Sequence, residues 1–592
     1  MSSSAIDYAH VTVGVNLIWN NEFDKAEAHF APNKDVQPRA ALHYAEAVFL
    51  RSFITADAND TAEALARLDK ARRLAEHVID GGGGDVYSVL DARVVLGDSL
   101  YMTAILQMTR DAKVKGVFNL RKSWKAFEAT QKALPTPTGS ASSTAGASGS
   151  GTSTNDAAIA ELVRCVEFGN GIFLWACSII PKKFLKLVEL VGFKADRDMG
   201  IKYLKHAHDG AGVRGPYGTM LLLVNNLLLP RGLADVSQYL KEANELIAGT
   251  SAKYPNGSLF QVMGSHCRRK MCDVDGGVEF MEKAIASCAS LKQPPLIYRY
   301  ELANCYVMKL EFARAVPLYE DLVKVADFQV RVIAAVQLAC CYAVLGKQAE
   351  AIKQFKSVDG LLKKPTSLDK QMVQQAHRFA ANGAHFAMFE LLYMRRDLVK
   401  MTQYMEKFLD ALEAAAAKTK AQQPVDVAAV LAGQHSGLSK MKDGLSSLFG
   451  KKAAAPAAAA PALDPHHADD RASYMLAKGS MVKALGRTDE AMQCFRHIIE
   501  LKAVLHEKFF VPYALYELGE SLYEKGQLQE ANALLRECSK LSGYAWEDPL
   551  KVRLRIVSDQ IEVALKKAGK HVEQDDADDD ALTADEKAEA HE

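Results

Sequence analysis

Gly210-Ala211-Gly212-Val213-Arg214-Gly215 has the glycine spacing of a dinucleotide-binding turn, and Asp235 follows 20 residues later, where an acid would meet a ribose hydroxyl. Such a turn works only between a buried strand and a helix, because the strand aims the backbone N–H groups at the phosphates. The preceding GIKYLKHAHD is polar and helix-forming, and no strand–helix alternation surrounds it. A turn between two helices is therefore expected. Gly444 to Gly450 followed by Lys451 imitates a phosphate loop, but five residues separate the glycines instead of four, and Lys452 stands where Ser or Thr would hold magnesium. Asp273-Val274-Asp275-Gly276 opens like a calcium loop, yet Gly277 and Ala284 occupy later ligand positions. His466–His467 fall in an Ala/Pro-rich stretch without a rigid frame, and His43, His206 and His208 stand singly on helical stretches as solvated or core-edge residues. Neither H-E-x-x-H nor G-x-S-x-G occurs. The 10 cysteines include no C-x-x-C, and adjacent Cys340–Cys341 would point about 100° apart on a helix. They read as the buried, reduced thiols of a cytosolic protein. No catalytic residue, cofactor-binding residue, metal ligand or cofactor is assigned.

The chain has 592 residues, enough for three or four domains at roughly 150 residues each. Lys+Arg 72 balances Asp+Glu 72, which argues against a nucleic-acid partner, since phosphate binding needs a basic excess. The opening MSSSAIDYAHVTVG lacks the charged-then-apolar pattern of a secretory leader, and the closing KAEAHE carries no lipidation motif. Residues 172–181 and 219–229 are apolar runs of about ten residues, half of the roughly 20 that cross a bilayer, so buried helices are expected there.

Three segments lack the means to join a core. Residues 135–156 are Ser/Thr/Gly/Pro with no large apolar side chain; 412–467 are Ala/Pro-rich; and 571–592 hold ten acids and one lysine. These divide the chain into helical repeats over 1–134, a loop at 135–156, central repeats over 157–411, an insert at 412–467, C-terminal repeats over 468–570 and an acidic tail at 571–592. Within the insert, Leu438, Met441, Leu445, Leu448 and Phe449 recur at helical spacing beside Lys440, Lys442, Lys451 and Lys452. That makes 437–452 a short basic amphipathic helix, the profile of a segment that contacts a lipid surface or docks on protein.

The helical remainder repeats. Gly14/Ala26/Phe30, Ala303/Ala315/Tyr319, Ala339/Ala351/Phe355, Gly479/Ala491/Phe495 and Gly519/Ala531/Leu535 share spacings of 12 and 4. A small residue midway along one helix lets its hairpin partner approach. A second small residue faces it, and a large apolar side chain one turn later fills the gap. Seven residues after the first position stand Asn21, Gly346, Gly486 and Gly526, types that tolerate left-handed backbone; Leu310 breaks that rule. A weaker copy lies near Gly264, with Gly277 and Met281 displaced by about one residue.

This pattern resembles the tetratricopeptide repeat. More widely, GVNLIWNNEFDKAEAHFAP (14–32), FGNGIFLWACSIIPKKFLKLVELVGFKADRDMGIKYL (168–204) and the paired repeats over 472–544 resemble the tetratricopeptide repeat protein 39 / inclusion body clearance protein family. The resemblance implies an α-helical, non-enzymatic cytoplasmic scaffold. It also implies links to inclusion clearance, lipid homeostasis, lipid droplets, the mitochondrial outer membrane or ubiquitination scaffolding; a nuclear location is a separate expectation. Some tetratricopeptide domains clamp a chaperone's C-terminal carboxylate. Here Asn304 fits one slot, but Tyr300 and Gln337 replace the others, so no such clamp is expected. The expected fold is all-α: antiparallel helix hairpins stacked into a superhelical or partly closed solenoid. The apolar 168–229 stretch should be a central helix enclosed by the terminal repeats. The expected partners are proteins held in the concave groove, with weak lipid contact through 437–452.

Overall fold

The computed structural model describes residues 6–81, 85–109, 112–134, 154–180, 195–363, 365–428, 430–431 and 466–569. Every regular element among them is helical. In chain order the α-helices are α1 (Tyr8–Trp19), α2 (Phe23–Phe30), α3 (Pro38–Thr55), α4 (Ala58–Gly81), α5 (Val86–Met108), α6 (Lys113–Ala133), α7 (Thr154–Ser178), α8 (Arg197–Asp209), α9 (Gly215–Leu227), α10 (Ser237–Lys253), α11 (Ser258–Lys270) and α12 (Val274–Ala286). They continue with α13 (Leu296–Met308), α14 (Phe312–Lys324), α15 (Arg331–Val344), α16 (Gln348–Ser357), α17 (Ser367–Ala381), α18 (Ala387–Met394), α19 (Met405–Ala416), α20 (His467–Ala484), α21 (Thr488–Glu500), α22 (Phe510–Glu524), α23 (Leu528–Ser539) and α24 (Glu547–Lys567). Local chemistry starts several of them. Asp7, Asp85, Asp196 and Asp273 accept hydrogen bonds from first-turn backbone N–H groups, and Thr366 with Asp369 closes a capping box before α17.

One turn geometry recurs. Asn21, Cys272, Leu310, Gly346, Arg396, Gly486 and Gly526 all have φ between 57° and 78°. In each case the next residue's N–H bonds the carbonyl five residues back, at 2.9 Å in all seven. This is the Schellman closure of a helix by a left-handed residue. Leu310, which breaks the glycine rule in the sequence, takes φ 62° all the same. Because the hairpin dictates the turn, its apolar side chain bears the strain. Counting back seven from Cys272 gives Ser265, so the weak copy is Ser265/Gly277/Met281, a serine serving as the small residue. The turn at Arg396 closes a further hairpin whose first two positions, Phe389 and Met401, are not small, while Met405 keeps the large third one. Its second arm starts as two 3-10 segments, Leu398–Lys400 and Thr402–Tyr404.

The repeat positions lie where helices meet. Ala26, Ala303, Ala315, Tyr319, Ala339, Ala351, Phe355, Ala491, Phe495, Ala531, Phe30 and Leu535 are buried. A Cβ placed on Gly479 would stand 2.6 Å from the Phe495 ring, and one on Gly519 would stand 2.8 Å from Leu535; Gly14 faces Phe30 in the same way. These glycines are required by close approach.

The stack folds back on itself. Trp19 of α1 stacks on Phe260 of α11 at 5.1 Å and meets Tyr217 of α9 edge-on at 4.7 Å. Tyr254 donates to Asn16 at 2.8 Å. At the other end, Gln560 of α24 donates to the Arg231 carbonyl at 2.9 Å and accepts from Leu233 N–H at 2.7 Å. Helix α9 is thus walled by the N-terminal hairpin and reached beyond its C-terminal end by the last helix.

Two boundaries differ from the sequence reading. Helix α7 already begins at Thr154, inside the 135–156 tract. The front of the 412–467 block joins the core: Leu412, Ala416 and Ala421 are buried, while Val425, Val427, Val430 and Leu431 pack on Ala468, Leu501 and Val504. Small alanines let that segment lie flat on its neighbours, so its composition did not signal exposure. His467 opens α20 and contacts the Lys420 carbonyl at 2.9 Å. The remainder of both segments, the basic island with Leu438, Met441, Leu445, Leu448 and Phe449, the phosphate-loop imitation and the acidic tail lie outside the described residues.

Candidate interaction site

A closed set of charged side chains fills the junction of α3, α5 and α9. Arg39, His43 and Glu46 recur on one face of α3, and Asp91 and Asp98 lie two turns apart on α5. Arg214 immediately precedes α9; all six are buried. Arg39 Nε donates to Asp91 Oδ1 at 3.1 Å, with Nη1 3.9 Å from Asp98. Arg214 Nη1 donates to Glu46 at 3.2 Å, and its Nη2 pairs with Asp98. His43 contacts Glu46, and the Tyr8 hydroxyl donates to Asp91 at 2.6 Å. Burial alone would lower the Arg214 pKa, but Asp98 and Glu46 outweigh it and hold the guanidinium charged. Burial lowers His43 toward its neutral form and pushes the Asp98 carboxyl upward. It also lifts the neighbouring Cys165 thiol to about 12, which makes that sulfur a poor nucleophile. The charges of the set are paired with one another and buried, although Arg39 Nη1, His43 Nε2 and Arg214 Nε have no hydrogen-bond partner, and Arg39 and Asp91 border a cleft of about 420 Å³. Its chemistry is structural: each ion is compensated only while the three helices stay together. His43, expected singly at a core edge, is a member of this buried set.

The groove of the central repeats is also filled from within. Tyr319 OH, Gln337 Nε2 and Arg395 Nη1 all donate to Asn304 Oδ1, at 2.7, 2.8 and 3.0 Å. Arg395 reaches Tyr300 OH at 3.2 Å and pairs with Asp397 at 2.8 Å. Asn304, the residue that fits a carboxylate clamp, is therefore engaged by the chain's own α18 end. At this point the chain's own side chains engage Asn304, in keeping with a partly closed solenoid.

The glycine turn at 210–215 does face an anion, but an internal one. Val213 N–H donates to Glu161 at 2.7 Å, and the same carboxylate occupies the space beside Gly212. Asp235 accepts from the Ser237 N–H at 2.9 Å. Asp273 caps α12, and Asp275 accepts from Tyr404 and Gln403 and pairs with Lys309. No metal-ligand cluster occurs among the described residues.

Several clefts stay open, of about 570 Å³ beside Arg51 and Asp60, of about 420 Å³ beside His10 and His29, and of about 620 Å³ between α8, α9 and α10. The last of these is lined by Lys205 and Lys253 as cationic groups, Asp209, Glu242 and Glu245 as anionic ones, and by His208 and Thr219. His208 Nδ1 lies 2.7 Å from Thr219 Oγ1, and burial lowers both the His208 and Lys253 pKa values. Sequence reasoning missed this cleft, because its walls come from three separate helices and no spacing within one helix reports them. A signal for the charged set was present: Asp91 and Asp98 share one face of a long, largely apolar helix.

Stacked hairpins with this turn and this small/small/large packing define a tetratricopeptide-type α-solenoid. The chain belongs to the Iml2/Tetratricopeptide repeat protein 39 family, whose model matches residues 12–432; a tetratricopeptide repeat model also matches 513–541. Tetratricopeptide repeat protein ttc-39B of Caenorhabditis elegans is similar at 21% identity over 582 residues, covering 92% of this chain and 91% of that protein. A chain of the crystal structure of the APC/C hetero-tetramer Cut9-Hcn1 aligns over 93% of this chain and 96% of its own length, at 10% identity and a TM-score of 0.22, too low to carry an argument. No helix among the described residues is long and apolar enough to cross a membrane.

Proposed function

We propose that this chain is a non-catalytic protein-interaction scaffold, cytoplasmic, acting in inclusion clearance or lipid homeostasis as its family resemblance implies. One observation carries the scaffold reading. The hairpin stack is closed internally by its own side chains at Asn304 and at Arg214, yet leaves surface clefts open, among them the one between α8, α9 and α10, lined by charges of both signs. Such a surface suits a polar, extended peptide segment. A photo-reactive residue placed at Gln238 in the cleft should cross-link the scaffold's cellular partner. The same residue at Leu345, on a distant turn, should not. Lys205→Glu with Lys253→Glu should remove the cross-link while the helical signal is unchanged; equal labelling from both positions overturns the cleft as the partner site.

A second reading rests on the pattern of 437–452: a peripheral factor on lipid droplets or the mitochondrial outer membrane, recruited through Leu438, Met441, Leu445, Leu448 and Phe449. Flotation of the full chain with and without 437–452 separates the two.

A further inference from the structure

The C-terminal end of α5 and the solvent face of α6 combine two features. Met108, Val114, Val117 and Phe118 are exposed large apolar side chains within eleven residues of sequence, with Phe118 59% and Val114 56% exposed. Gly116, Ser123, Phe127 and Thr130 are buried, and helical spacing turns Val114, Phe118 and Lys125 to the opposite side, with Arg121 half-buried beside them. Lys115, Lys122 and Lys125 are exposed, and together with Arg121 they make no ion pair with any described residue. The face's acid, Glu128, is held by Lys132 at 3.0 Å. Exposed apolar groups at a helix end, ringed by unpaired cations, need an explanation that neither repeat packing nor the cleft provides.

We propose that this face docks on an anionic bilayer surface, with Val114, Val117 and Phe118 entering the headgroup layer and Lys115, Arg121, Lys122 and Lys125 meeting lipid phosphates and carboxylates. Charge complementarity selects the anionic surface. The apolar groups select a bilayer over the chain's own acidic tail, which would pair the lysines and leave Phe118 in water. They project from a helix end, where a fluid headgroup layer accepts them without a shaped pocket. The lysine stems lie along the apolar boundary with their ammonium groups at the phosphates.

The test is sedimentation of the full chain with vesicles of phosphatidylcholine alone and of phosphatidylcholine with phosphatidylserine. Partition onto the anionic vesicles should be at least about tenfold higher at low salt and should fall as salt rises. Val114→Ser with Phe118→Ser, and separately Lys122→Glu with Lys125→Glu, should each reduce it about tenfold with an unchanged melting temperature. Deleting 437–452 should leave it in place. As a conservative variant, Phe118→Trp should add indole fluorescence that shifts to the blue on adding anionic vesicles. Equal binding to both vesicle types, no binding, loss on deleting 437–452, or an unshifted indole signal in the Phe118→Trp variant would each overturn the proposal. So would cross-links from Lys122 or Lys125 to 573–592, which assign the face to the tail, or self-association abolished by Phe118→Ser, which assigns it to a second copy.

Discussion

The two ends of the chain solve the same packing problem with different chemistry. In the C-terminal repeats, α20 and α21 meet through Gly479, Ala491 and Phe495, and α22 and α23 through Gly519, Ala531 and Leu535. Contact at these six positions is apolar and close, although α22 also buries Glu517 and Glu520 beside them. Lys483 bonds Glu517 and Glu520 at 3.2 and 3.1 Å while keeping partial exposure. In the N-terminal half, α5 is packed by α3, α4, α6 and α7 and still carries two aspartates inward. There, two guanidinium groups and three carboxylates are sealed between helices. Apolar repeat packing tolerates drift in partner identity, as the Ser265 and Phe389 copies illustrate. Ion packing is selective: it accepts one arrangement of three helices and penalises others heavily.

The difference can be broken most forcefully at Arg214. Arg214→Met leaves Asp98 and Glu46 buried beside one remaining guanidinium and should cost about 3–5 kcal/mol, read by denaturant unfolding. At the apolar end, Ala491→Trp forces an indole between α20 and α21 and should cost about 1–3 kcal/mol, seen as a lower melting temperature; an unchanged midpoint would remove Ala491 from the interface. Proton titration sharpens the contrast in the middle of the chain. Burial, reinforced by the neighbouring Arg269, lowers His266 to about 4. Stability from keeping that ring neutral is complete above its ordinary value of about 6.5 and is lost as pH falls toward about 4, because the unfolded chain takes the proton first. His266→Gln should flatten that acid limb by on the order of 1–2 kcal/mol, and His43, lowered by burial too, contributes with the same sign. The smallest effect is at a turn. Gly486→Ala puts a Cβ at φ 78° with nothing nearby to clash, so it should cost only about 1 kcal/mol of backbone strain.

What was legible in the sequence follows from the same contrast. Spacings of 12 and 4 are local, so five hairpins could be read directly, and the turn position seven residues on came with them. The Ser265 copy was displaced by one because Gly264 offers a more obvious small residue. The Arg396 hairpin was invisible because Phe389 and Met401 occupy positions that are small elsewhere. The charged junction pairs Arg39 with Asp91, Asp98 with Arg214 and Glu46 with Arg214, residues 52, 116 and 168 positions apart. No periodicity within one helix reports such pairings. The engagement of Asn304 by Arg395 was unreadable for the same reason, since the two lie 91 positions apart. Composition misjudged 412–431, where alanine content suggested an excluded linker but small side chains permit a flat, close fit.

Hydrogen exchange on Arg214→Met tests most directly whether the two ends are held by separate devices. The account predicts that protection falls in peptides covering 39–50, 91–102 and 213–227 while those covering 472–538 keep wild-type exchange. Equal loss of protection in both sets, or none in the first, would contradict it.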